Sequence, residues 1–242
     1  MGINLKCSYT IIMKEIKIKN MEIKVPSGSP FAYETDSMMP KAHQNCLVVA
    51  PRGQGKTTFT VNLIEKMPYD RIFVVSPSIK SNKVLMERLK IEPEDIFENP
   101  DDVSVLDTIK LKIEEERDLL EKYWEEMKRY KELMKCVRNK NNKLPDELLM
   151  EFYSNENQNF EPPTHKWNGK QPCVAILFDD CLGSGIFTKG IRKLNALTIY
   201  HRHLGQLEKG GSIGASLYFL VQSYKAQNGG ISKCIRGNTT SL

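Results

Sequence analysis

Residues 46–58 read Cys-Leu-Val-Val-Ala-Pro-Arg-Gly-Gln-Gly-Lys-Thr-Thr. A short apolar run enters a glycine-bearing turn and then a segment that continues as a helix up to Pro68. Ala50 to Thr57 matches Ala/Gly-x4-Gly-Lys-Ser/Thr, with Ala50 where the stricter form has Gly. That pattern needs a strand, a tight loop and a helix in this order, because the loop must turn its N–H groups onto phosphate. Ala50, Pro51 and Arg52 open the loop, Gly53, Gln54 and Gly55 make its bend, and Lys56, Thr57 and Thr58 start the helix. Glycines at 53 and 55 let the backbone fold around phosphate oxygens. Lys56 is placed to reach the β- and γ-phosphates, and the Thr57 hydroxyl to ligate Mg²⁺. The positive end of the helix faces the anion. These residues are the candidate binding site for a nucleoside triphosphate with Mg²⁺.

At 242 residues and 40% hydrophobic content the chain can bury one substantial core, with room for an insertion. No apolar stretch approaches the ~20 residues that span a bilayer, and the Lys-rich N-terminus has no signal-peptide block. Met13 and Met21 are alternative starts, since residues 1–12 show no clear structural role. The six cysteines are scattered without a Cys-x-x-Cys pair, and read as reduced thiols. Charge is segregated. Residues 1–85 carry net +6, residues 86–161 net −8, and residues 182–242 net +7, with a neutral stretch between. A basic C-terminal quarter beside an acidic segment suggests one polyanion-facing surface.

The hydrophobic pattern divides the chain into four parts. Residues 1–45 hold an alternating, strand-like stretch over 14–25 and a proline-rich loop. Residues 46–108 form the first half of an α/β core, with a strand at Ile72–Val75, a helix from Ile79 to Leu89 and a short strand at Val103–Leu106 after an acidic loop. Residues 109–172 are a helical insertion. Positions 109, 113, 116, 120, 123, 127, 130, 134 and 137 step by four and three, and all but Glu116 are apolar or aromatic. This spacing predicts a long amphipathic helix with a coiled-coil seam and one polar break. Pro145–Tyr153 is expected to fold back on it as a second helix, and 154–172 to form a surface loop. Residues 173–242 make the second half of the core: a buried strand Cys173–Phe178, a helix Lys189–His203, a flexible Gly205–Gly214, and a strand Leu217–Val221. The predicted fold is an α/β P-loop architecture, a mainly parallel sheet flanked by helices with a long helical hairpin inserted.

Two strand ends carry chemistry. Cys173–Phe178 runs into Asp179-Asp180. Asp179 is the candidate partner of Thr57 around Mg²⁺, and Asp180 the candidate base for an attacking water. Leu217–Val221 ends in Gln222, a polar group able to contact both water and γ-phosphate.

Together these positions resemble the FtsK–HerA superfamily, and within it the genome-packaging ATPases of poxviruses, giant viruses and virophages. The resemblance is carried by Gln-Gly-Lys-Thr-Thr, Phe-Asp-Asp, the stretch His201-Arg202-His203-Leu204, Phe-Leu-Val-Gln-Ser-Tyr and Ile235-Arg236-Gly237-Asn238. It covers roughly residues 45–80 and 173–240 and leaves 81–172 outside. It implies a RecA-like ATPase in which the Gln-bearing strand lies between the P-loop strand and the Asp-Asp strand. It implies ATP as cofactor and double-stranded DNA as partner. It also implies a homo-oligomeric ring, a hexamer or pentamer, in which an arginine from one subunit completes its neighbour's site. Arg202 and Arg236 are the candidates for that arginine. Contacts with capsid or portal-vertex proteins, and a place in the host cytoplasm, at the viral factory, and in the virion follow from the same resemblance. The family continues past Asn238 into another core strand, which Thr239–Leu242 could only begin, so the expectation is a truncated or very short last strand.

Three other readings stay open. A cellular HerA/FtsK-type DNA pump would carry the same core. A P-loop nucleotide kinase would need an Arg-rich lid, and the segment between the two core halves is acidic instead. A nucleotide-switched interaction module would bind a partner through the heptad seam at Leu120 and Met127.

Overall fold

The computed structural model describes residues 39–79, 87–138, 162–224 and 230–241. The strand-like 14–25 stretch, most of the Ile79–Leu89 helix and the Pro145–Tyr153 helix lie outside them. The described chain runs β1 (Asn45–Val49), α1 (Lys56–Glu65), β2 (Arg71–Val75), β3 (Ile96–Phe97), α2 (Val105–Arg138), β4 (Val174–Asp179), α3 (Ile191–Tyr200), β5 (Ser216–Val221) and α4 (Lys233–Gly237). The five strands form one parallel sheet in the order β1-β5-β4-β2-β3. β5, the Gln-bearing strand, lies between the P-loop strand and the Asp-Asp strand. The fold is α/β of the RecA-like P-loop type, with helices on both faces.

Alternation along the strands supplies both faces. Leu47, Phe73, Ile176, Phe178, Leu217 and Phe219 point to one side, into a core completed by α2 and α3. Val74, Ala175, Leu177, Tyr218 and Leu220 point to the other, against Val61 and Ile64 of α1. Phe178 and Phe219 stack at 5.1 Å, and Phe187 meets both edge-on.

Two expectations change. Val105 and Leu106 are not strand but the first turn of α2, and the short strand is Ile96–Phe97, within the stretch read as acidic loop. Val105, Leu106, Ile109 and Ile113 fall three and four apart and enter the core together, so helical period prevails over a four-residue apolar run. Gly205–Gly214 is not a loose segment: Gln206 and Ser212 bridge, and the Ile213 N–H donates to Gly205 O at 3.0 Å. Thr240 and Ser241 lie beside β1: Ser241 forms an isolated bridge with Cys46, and the Thr240 N–H donates to Asn45 O at 2.8 Å. No helix among the described residues is long and apolar enough to cross a membrane.

The seam positions of α2 are buried at Ile109, Ile113, Glu116 and Leu120, and there Glu116 is an anchor rather than a break. The Arg71 guanidinium donates to Glu116 at 2.7 Å and to both oxygens of Asp95 at 2.7 and 2.8 Å. Lys112 reaches Asp95 at 2.9 Å, and the Trp167 indole N–H donates to the other Glu116 oxygen at 3.1 Å. Burial alone would raise the Asp95 pKa, but the hydrogen bonds and charges of Arg71 and Lys112 outweigh it and hold it below the usual carboxylate range. This cluster ties β2, the turn before β3, α2 and the 162–170 loop together. Leu120, one turn on, is fully buried. A charge placed at Leu120 would therefore damage the fold and could not by itself report partner binding.

Removing one member of a buried ion cluster strands the others. Glu116→Ala is expected to lower stability by about 3 kcal/mol in urea unfolding, and Glu114→Ala, at an exposed position of the same helix, by far less. Equal losses would show that the cluster does not hold α2 in place.

Candidate functional site

The C-terminal ends of β1, β5 and β4 lie side by side, and the candidate residues converge there. The register pairs Val49 with Val221 and Asp179 with Leu220. The Ala50 N–H donates to Val221 O at 3.1 Å, which carries the ladder one step past β1 and fixes where the loop departs. Gly53 and Gly55 have φ of 79° and 78°, in the left-handed region. Gly55 is the N-cap of α1 and offers no side chain to cap it, so the first N–H groups of the helix keep their capacity for an external anion. Arg52, Gln54 and Thr58 are exposed, and Lys56 and Thr57 half-buried. The Lys56 ammonium donates to Ala50 O at 2.7 Å, across the mouth of the loop.

At the end of β4, beyond β5, Asp179 is buried and Asp180 exposed. Burial, then the adjacent Asp180 charge, pushes the Asp179 pKa up to about 6, with Lys56 pulling the other way. A buried carboxylate whose charge is disfavoured, next to a second carboxylate, offers oxygen donors of the kind a hard divalent cation takes, with its remaining ligands from water and phosphate.

Asp180 has φ 56°, a conformation that Asp tolerates better than most residues. Its Oδ1 accepts from the Gln222 amide at 2.8 Å. The base candidate and the sensor candidate are thus hydrogen-bonded to one another across two adjacent strand ends. The loop after Asp180 is fastened to the turn that precedes α2: the Gly185 and Ile186 N–H groups donate to Asp101 Oδ1 and Pro100 O at 2.7 and 3.0 Å.

The two arginines lie at different places. Arg202 sits at the opposite end of the sheet, where its Nε–H donates to His43 O at 3.3 Å and the Ala215 N–H, just before β5, donates to His201 O. A six-residue strand separates the two ends, about 20 Å at ~3.3 Å per residue, so within one subunit Arg202 does not belong to the Lys56–Asp179–Asp180–Gln222 group. Arg236 donates to Ile231 O at 3.1 Å and Tyr224 O at 3.4 Å and lies over the Tyr224 ring, two residues beyond Gln222. Sequence reading missed Ser76, which is fully buried at the tip of β2, at the same end of the sheet as Asp179. Its signal was a small polar residue closing an apolar run, which reads equally well as a strand stop.

No family model and no curated protein matches the sequence. Among solved structures, the chain is similar to the pCW3 conjugation coupling protein TcpA, in its monomer form with ATPγS, at 17% identity and a TM-score of 0.35. The match covers 82% of this chain and 47% of that one, so the chain spans about half the length of that neighbour.

Folding raises the Asp179 pKa from 3.8 to about 6, so its charge costs stability above that pH, and the cost vanishes below the unfolded value. Without nucleotide, Asp179→Asn is expected to stabilise the protein by roughly 2 kcal/mol at about pH 8. That gain should disappear in melts at about pH 2.5, below the unfolded value, where both states of the wild-type carboxyl are protonated. A gain that persists at low pH would contradict the assignment.

Proposed function

We propose that this chain is an ATP-hydrolysing double-stranded DNA translocase of the FtsK–HerA kind, acting in packaging a viral genome into a capsid. The observation that carries the reading is the hydrogen-bonded pair Asp180–Gln222 on two adjacent strand ends beside the P-loop strand. A protein that only holds nucleotide has no need of a carboxylate poised to take a proton from water. Lys56 and the α1 N-terminus bind and orient the phosphates. Thr57 and Asp179 would hold Mg²⁺, which would supply charge neutralisation on the phosphate oxygens. Asp180 accepts the proton of the attacking water, and Gln222 fixes that carboxylate and senses whether the terminal phosphate is still present. The strand order β1-β5-β4 supports the superfamily resemblance, because it places the Gln-bearing strand where that resemblance requires it. The basic C-terminal quarter supports a polyanionic substrate. Assembly into a ring of six or five subunits would give Arg202 or Arg236 a neighbour's site to complete. Capsid or portal-vertex contacts, and a place in the host cytoplasm and virion, belong to the same proposal.

A nucleotide kinase reading is weaker, since residues 86–161 carry net −8 where an anion-closing lid would be basic.

Steady-state ATP hydrolysis is expected to rise severalfold when long duplex DNA is added. Lys56→Ala and Asp180→Asn should each abolish turnover, by about 10²-fold or more. Asn tolerates the left-handed backbone at 180, so the second change removes the base without refusing the local conformation. Hydrolysis indifferent to DNA would sink the translocase reading, and phosphate transfer to a nucleoside would favour the kinase.

A further inference from the structure

At the end of the sheet opposite the P-loop there is a second concave site, lined by none of Lys56, Asp179, Asp180 and Gln222. The turn His201–His203 and the segment after α4 enclose a cavity of about 420 Å³. Arg202, His203, Asn238, Thr239 and Thr240 line it, with Ile199 of α3. Among the described residues no carboxylate lines it. Its wall is firmly built. The buried His201 ring meets Thr198 O at 2.7 Å and His43 O at 3.1 Å, which fastens the turn to the segment entering β1. Arg202 spends one of its five N–H donors on the same His43 carbonyl. That bond orients a guanidinium fork whose geometry matches two oxygens of one phosphate.

The segment that supplies the cavity is basic as a whole: residues 182–242 hold eight Lys/Arg and one acidic residue, Glu208. Exposed Arg192 lies two helical turns before Ile199 on the same face of α3, about 10 Å along the axis. A lone phosphate would fill only the cavity. A duplex presents a charge every ~1.7 Å of its axis and would engage the cavity and Arg192 together.

We propose that this cavity and the Arg192 face of α3 form a docking groove for the phosphodiester backbone of duplex DNA, with Arg202 as its central bidentate contact. The inference rests on the reading that the chain acts on duplex DNA, and it locates where the duplex is held. It gives Arg202 a phosphate of the polymer to bind, remote from the nucleotide of its own subunit.

The test is binding of the full chain to a labelled duplex of mixed sequence, by fluorescence anisotropy over a salt series without nucleotide. The double change Arg202→Gln with His203→Gln is expected to weaken binding about tenfold and to reduce the slope of log K against log salt by about 1. Arg192→Glu, at an exposed position, is expected to weaken it about fivefold, and keeps the test readable if the double variant does not fold. Unchanged affinity and slope in folded variants would overturn the groove while leaving DNA action intact. A wild type that binds no duplex would overturn both. Displacement of the duplex by inorganic phosphate at matched ionic strength would show a free-phosphate pocket and overturn the duplex assignment.

Discussion

The candidate site depends on β5 being hydrogen-bonded on both sides. Its pairing with β1 brings Val221 beside Val49, and its pairing with β4 brings Leu220 beside Asp179. Gln222 therefore emerges between the P-loop and Asp180 with no loop needed to place it. The register is protected from slipping by the two cores. A shift of one residue would turn Phe219 off the Phe178 stack and exchange the side chains packed on α1 with those packed on α2 and α3. The precision of the site is thus a by-product of packing two apolar faces at once.

The insertion is joined to this frame by electrostatics as much as by apolar burial. Arg71, at the start of β2, gathers Asp95 and Glu116 from opposite sides, and Lys112 and Trp167 close the set. Such a cluster gains little net stability over an apolar one, because its charges must be stripped of water. What it supplies is position: α2 can dock in one rotation and one register only. The Asp101–Gly185 contact then links the turn that precedes α2 to the loop that follows Asp180.

Much of this was legible in the sequence because the strands are buried on both faces. Leu47–Val49, Ile72–Val75, Cys173–Phe178 and Leu217–Val221 read as unbroken apolar runs, and each is a strand of the sheet. The α2 seam was legible from its four-three spacing. The role of Glu116 was not, because a buried glutamate and a polar flaw look alike until the partner, 45 residues away, is in view. Val103–Leu106 misled because four residues cannot distinguish a strand from the first turn of a helix. Lys56, Thr57, Asp179, Asp180 and Gln222 were legible as strand-end and loop residues, and their convergence followed from parallel topology. The separation of Arg202 from them was not legible, since nothing in its local sequence says which end of the sheet it occupies.

The claim most open to direct attack is that Asp180 and Gln222 act as one hydrolytic unit while the P-loop alone holds the nucleotide. The measurement is ATP affinity beside single-turnover phosphate release for Gln222→Ala. The account predicts an affinity within about threefold of wild type and a release rate lower by about 10²-fold, the size of effect typical of one lost positioning contact in the transition state. An affinity that collapses with the rate, or a rate left unchanged, would contradict it.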